Sequence, residues 1–227
     1  MNYQNYISAG SLLACSSLLS SERLNDILST SAFMQMSSSN KYPTLHEFKE
    51  WNDRYAQVLR YCRYVSSGRL TFEYSSTSQD RIFTPKGVIV AAMASELSPE
   101  EKDSLNFMLE RFSELKGESK ASKVFTQRAI ESAKADVSEE KTIHRIRILA
   151  GVVDADSTLK CVIFNLATHQ PIEFDFFNQN FALGDLLGHV DTEYFAARLD
   201  EDYAEEKRVA VLKTLAGRGD EETERLF

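Results

Sequence analysis

The sequence predicts an α+β fold in which helices flank a small antiparallel β-meander. Two capping signals open helices in the first half, at Thr44–Glu47 and Ser98–Glu101. The apolar period then changes from 3.6 to 2 near Thr142 and returns to helical spacing after Asp191. The chain has 227 residues, only four prolines, and no linker rich in Pro or Gly. It therefore reads as one domain over 1–227, helical over 1–135, with the meander over 142–178 and a C-terminal helix over 191–216.

From the N-terminus, Ser11 to Ser20 is compatible with a short helix. Ser21 to Met36 is a better one, with Leu24, Ile27, Leu28 and Met34 near helical spacing, and the tract Ser37-Ser38-Ser39-Asn40 should break it. Behind the Thr44 signal, Phe48, Trp51, Tyr55, Val58, Leu59 and Cys62 share one face, which predicts a helix over Leu45–Tyr64 with Trp51 buried. Ser66-Ser67-Gly68 should end it. Leu70, Phe72 and Tyr74 alternate with polar residues, a half-buried strand over 69–75.

Thr84-Pro85 and Ser98-Pro99 each place a capping residue before a proline at the first helical position. They predict two consecutive helices within 85–116. The first is apolar nearly all round; the second carries Leu105, Met108, Leu109, Phe112 and Leu115 on one stripe and stops at Gly117. Lys120 to Asp136 has helical composition with a weak stripe, and reads as a helix or a connector.

Three period-2 runs follow, near 142–154, 158–167 and 171–178. If 155–157 and 168–170 are the loops, Ile146, Leu166 and Ile172 form one row. Ile148, Phe164 and Phe174 form a second, and Ala150, Val162 and Phe176 a third, all on one buried face. The opposite face then holds a polar row, Arg147–Asn165–Glu173, as a surface pair and its neighbour. The last helix is capped at Asp191, carries Phe195, Leu199, Tyr203, Val209 and Leu212, and ends at Gly217.

Composition limits function. Hydrophobic residues at 43% and charged residues at 26% are ordinary globular usage, so the chain should fold. A net charge of −8 argues against binding to nucleic acid through its phosphates. Cys15, Cys62 and Cys161 are an odd, widely spaced set, which predicts free thiols and fits a cytoplasmic location. Export without a cleaved signal stays open. Leu12-Leu13-Ala14-Cys15 has the form of a lipoprotein cleavage box, but no Lys or Arg precedes it and Ser residues interrupt the apolar run.

No residue is assigned a catalytic, cofactor-binding or metal-binding role. The chain lacks GxSxG, GxGxxG, a phosphate-binding GxxxxGK[ST] loop, HxH, HxxxH and CxxC. The three cysteines read as small core residues. Among His46, His144, His169 and His189, the last is the best loop candidate, beside an Asp191 explained equally well as a helix cap. Asp154-Ala155-Asp156-Ser157 resembles the start of a calcium loop but reads as a hairpin turn.

Three functional classes remain. The first is a non-enzymatic interaction or assembly protein that self-associates as a homo-oligomer, favoured by 14 Phe and 9 Tyr without an evident ligand site. The second is a membrane-active bacterial toxin or effector using the apolar run 88–97 or the phenylalanines near 174–181. The third is a hydrolase of unrecognised type.

Overall fold

The computed structural model describes residues 2–74, 82–115, 119–134, 142–201, 203, 205–216 and 223–226. In chain order the elements are β1 (Tyr3–Ser8), β2 (Ser11–Ser16), α1 (Ser21–Lys41), α2 (Phe48–Tyr61), β3 (Tyr64–Tyr74), β4 (Ile82–Phe83), α3 (Pro85–Ala92), α4 (Pro99–Ser113), α5 (Lys120–Ala129), β5 (Ile130–Lys134), β6 (Thr142–Val153), β7 (Thr158–Thr168), β8 (Phe181–Ala182), β9 (Val190–Leu199), α6 (Glu205–Leu215) and β10 (Thr223–Arg225). The fold is α+β, but the sheet is larger than a three-stranded meander, and it is mixed. Seven strands run in the order β10-β1-β2-β6-β7-β9-β3, and β5 pairs with the first half of β6. All these pairings are antiparallel except β2 with β6.

Both faces of this sheet are covered. Alternate residues of β6 divide between two cores: Ile146, Ile148, Ala150 and Val152 meet α3, α4 and α5, while Leu149 and Val153 meet α1, α2 and α6. A strand covered on both faces loses its polar alternation, which is why β6 is buried at eight consecutive positions.

Several expected elements are borne out. Trp51 is fully buried, and the Ser98–Glu101 capping box forms as predicted. Thr84 caps α3. The first hairpin has the predicted register, with Ile146 opposite Leu166, Ile148 opposite Phe164 and Ala150 opposite Val162.

Others are corrected. Ser11–Ser20 is not helical: Ser11–Ser16 is β2, buried at all six positions, so no periodicity survives to identify it. The Ser-rich tract does not break α1. Ser38 is buried and its hydroxyl donates to the Met34 carbonyl at 2.8 Å, while Ser39 Oγ accepts from Trp51 Nε1 at 3.1 Å. The serines thus dock α2 onto α1. Glu47, not Thr44, is the N-cap of α2, and the Thr44 hydroxyl donates to Glu47 Oε2 at 2.9 Å instead. That helix ends at Tyr61, where Arg63 turns the chain through a left-handed conformation (φ 65°) directly into β3. Gly68 lies inside β3 beside a bulge, and Lys120–Ala129 is a helix followed at once by β5. The predicted stops Gly117 and Gly217 lie outside the described residues.

The largest corrections fall after Thr168. Residues 171–178 are not a strand. Gln179 satisfies their backbone itself, accepting from Glu173 N at 2.9 Å and donating to the Pro171 carbonyl at 2.8 Å. Phe174 is therefore exposed rather than opposite Phe164, and Arg147 has no cross-strand partner in Glu173. The third strand of the meander is β9, expected to be helix, with Val162 opposite Tyr194 and Phe164 opposite Thr192. Helix α6 starts only at Glu205.

Candidate functional site

The candidate site is a cleft of about 600 Å³ between the first turn of α2 and the adjacent ends of β6, β7 and β9. Strand register sets Asn165, Asp191 and Glu193 along its floor. Arg147, Asn165 and Asp191 stand side by side on three neighbouring strands, with Leu149, Ile163 and Glu193 in the next row. Both rows face α2, so a polar strip lies under the helix where it leaves the apolar core.

Asp191 holds this strip to the loop before β9. Its Oδ1 is 2.8 Å from His189 Nε2, and its Oδ2 accepts from Asn165 Nδ2 at 3.5 Å. Asp191 is thus a strand residue positioning an imidazole, not a helix cap. Asn52 of α2 donates to the buried Glu193 carboxylate and forms the neck of the cleft. Beyond that neck lies a second hollow of about 220 Å³, walled by Tyr55, Leu59, Ile163 and Phe195. At the rim, Glu131 accepts from the Leu45 amide at 2.9 Å and faces Arg145 at 3.5 Å.

Arg147 is the residue that sequence reasoning misplaced furthest. Expected at the surface, it is 4% exposed, with its guanidinium 4.2 Å from the centre of the Trp51 ring. It forms no ion pair among the described residues, and one terminal nitrogen, Nη1, is buried without a hydrogen-bond partner. Burial pushes its pKa down to about 9, opposed by the charges of Glu131 and Glu47. The signal available in the sequence was Trp51, an aromatic on the facing helix with room for a stacked cation.

The other candidates are dispersed. Cys15, Cys62 and Cys161 are all free and buried in the α1–α2–α6 core. Burial pushes all three thiols up, Cys62 to about 12, which leaves them protonated and poor nucleophiles at neutral pH. His46 lines the same cleft as His189. His144 meets the exposed Ser132 hydroxyl at 2.8 Å across β5 and β6, with no carboxylate bonded to the ring among the described residues. His169 Nδ1 is 3.1 Å from the Thr142 carbonyl. Asp154–Ser157 is a hairpin turn in which Asp156 accepts from the Thr158 amide at 2.9 Å.

A His–Asp pair can orient a general base. Among the described residues no Ser, Thr or Cys side chain bonds to His189, so the pair lacks the poised nucleophile that acyl transfer needs. Nor does any group of three or more His, Cys, Asp or Glu side chains among the described residues converge to hold a metal ion.

The chain matches no family model and no curated protein in sequence. Weak matches among solved structures include two. The activated Cyt2Ba monomer from Bacillus thuringiensis subsp. israelensis is 10% identical, over 66% of this chain and 80% of that one, with a TM-score of 0.36. The Evf virulence factor is 9% identical, over 96% of this chain and 84% of that one, with a TM-score of 0.33. Similarity this distant carries no argument about function.

Proposed function

We propose that this chain is a non-enzymatic interaction protein that self-associates by strand addition at β3. The observation behind this reading is the edge of the main sheet. β3 is its last strand, eleven residues long, and pairs only with β9 among the described residues. Along β9, the Leu199 amide donates to Ser157 on the β7 side, and the Asp200 amide donates to Arg63 on the β3 side. Alternation then carries Leu70, opposite Tyr194, toward β9 and leaves the backbone of Thr71 facing outward. Val65 and Leu70 add apolar side chains that are 59% and 45% exposed. A long edge with unpaired amides and apolar side chains is a template for another strand. The bulge between Ser66 and Gly68 confines regular pairing to the part beyond it.

The native chain should sediment as a dimer or larger species at tens of micromolar. Thr71→Pro, which removes one outward amide, should give a folded monomer. A monomeric native chain at that concentration sinks the proposal.

Membrane action is the second reading, and β6 with β7 supports it. They form a hairpin of 12 and 11 residues that places apolar side chains in the core on each face, interrupted by Arg147, Lys160 and Asn165, and a tilted strand of roughly 9–11 residues crosses a bilayer. The apolar run at 88–97 fits less well, since α3 has only eight residues and no helix among the described residues is long and apolar enough to span. Dye release from vesicles tests this reading, and retention of the dye sets it aside.

A further inference from the structure

A second polar cluster lies on the opposite face of the sheet, away from the cleft. Lys160 of β7 places its ammonium 2.5 Å from Glu101 Oε1 and 3.0 Å from Asp154 Oδ2. Two carboxylates thus crowd one cation, and the Glu101 side chain is only 4% exposed. Each member belongs to a different part of the fold. Glu101 completes the capping box of α4, its Oε2 accepting from the Ser98 amide at 2.7 Å. Asp154 closes the β6–β7 hairpin and accepts from the Tyr3 hydroxyl of β1 at 3.0 Å. The remaining ionisable neighbours are Glu100 on α4, Glu96 in the turn before it and Tyr194 on β9.

We propose that Glu101, Asp154 and Lys160 form an acid-tuned clasp that holds the start of α4 on the sheet most firmly when the two carboxylates share one proton. With both ionised, one ammonium faces two negative charges in a partly dry site, and the carboxylates repel. One added proton lets Asp154 donate to Glu101 while Lys160 still neutralises the remaining charge. A second proton discharges Glu101, weakens the charge-assisted acceptor of the capping box and strands the Lys160 ammonium.

The titration directions agree with this geometry. For Asp154, burial and the neighbouring Glu101 raise the pKa against the pull of Lys160. Its charge is disfavoured in the fold, so stability is gained as pH falls through that raised value. For Glu101, burial opposes the charge, but Lys160 and the Ser98 amide outweigh it and lower the pKa. That contribution is lost as pH falls through the lowered value. The firmest attachment lies between the two steps, below the raised Asp154 value and above the lowered Glu101 value.

The test is hydrogen exchange in the first turn of α4, followed in the whole native chain from about pH 7 to pH 3, where coupled carboxylates titrate. Protection of the Lys102 and Asp103 amides should rise as the pH first falls and then drop again on further acidification. Asp154→Asn, which mimics the protonated acid, should already show the raised protection at neutral pH and keep only the acid-side fall. Lys160→Met should lose the maximum. Carboxyl-carbon NMR should show the pair titrating in two coupled steps. A flat profile shared by the native chain and Asp154→Asn, or two independent titrations at ordinary values, overturns the proposal.

Discussion

The two faces of the sheet are covered by cores of different chemistry. Under α3, α4 and α5 lies a phenylalanine core: Phe112 and Phe125 stand 4.6 Å apart between ring centres, and Phe176 and Phe177 stand 4.5 Å apart. Under α1, α2 and α6 the buried aromatics among the described residues are Trp51, Tyr6, Tyr55, Tyr64 and Tyr203 with one phenylalanine, Phe195, and all three cysteines lie there. Polar side chains are buried on that side as well, among them Asp26, Gln35, Asn52 and Arg147. The first core is filled chiefly by apolar side chains, with Glu101 and Gln179 as buried polar members at its margin. The second must also satisfy hydrogen bonds, so its geometry is more narrowly specified.

That contrast breaks if the phenylalanine core tolerates loss of volume. Phe112→Ala should cost about 3–5 kcal/mol in urea unfolding, because its ring touches Phe125, Phe176 and Phe177. A loss under about 1 kcal/mol would mean the cluster collapses around the gap. The polar-side core can be stressed by overfilling. A Cβ on Gly151 would come 2.1 Å from Cys161 Sγ and 2.4 Å from the Lys160 carbonyl, so Gly151→Ala should cost about 1–3 kcal/mol.

Arg147→Met sharpens the comparison by removing an unpaired buried charge at similar volume. The stack on Trp51 is worth about 1–2 kcal/mol when desolvated, and losing the desolvation penalty offsets it. A net change within about 1 kcal/mol of zero is expected in the same unfolding experiment. A larger loss would reveal a partner for the guanidinium. The smallest effect concerns the thiols: a native chain should react slowly with a thiol reagent, and a denatured one should show three thiols without reduction.

Legibility followed the same division. Helices with one wet face were readable, as the stripe of α4 and its capping box illustrate. The β6–β7 register was readable because its turn is short and its partners are apolar in pairs. The strands β2 and β9 were not, since burial on both faces replaces alternation with a continuous or irregular apolar run. The run Ile172–Phe177 misled in the opposite way: it alternates like a strand, yet Gln179 ties its backbone into a turn that buries Phe176 and Phe177 and leaves Phe174 exposed. Within the cleft, His189 and Asp191 were noticed in sequence, but their pairing with Asn165 depends on strand neighbours more than twenty residues away. Nothing local marked Arg147 as buried.

The parallel pairing of β2 with β6 also constrains the order of events during synthesis. Leu12 has its sheet partner at Ala150, and Tyr6 has one of its own at Arg225. At about 5–20 residues per second, the apolar β1–β2 hairpin waits several seconds to tens of seconds on the ribosome before its first main-chain neighbour exists. Until then both its outer edges lack strand partners, although α1 is already available to cover one face, and closure of such distant contacts is slow. Charge substitutions on that hairpin, or a slower translation of the middle of the chain, should therefore change the yield of folded protein more than they change the stability of what does fold.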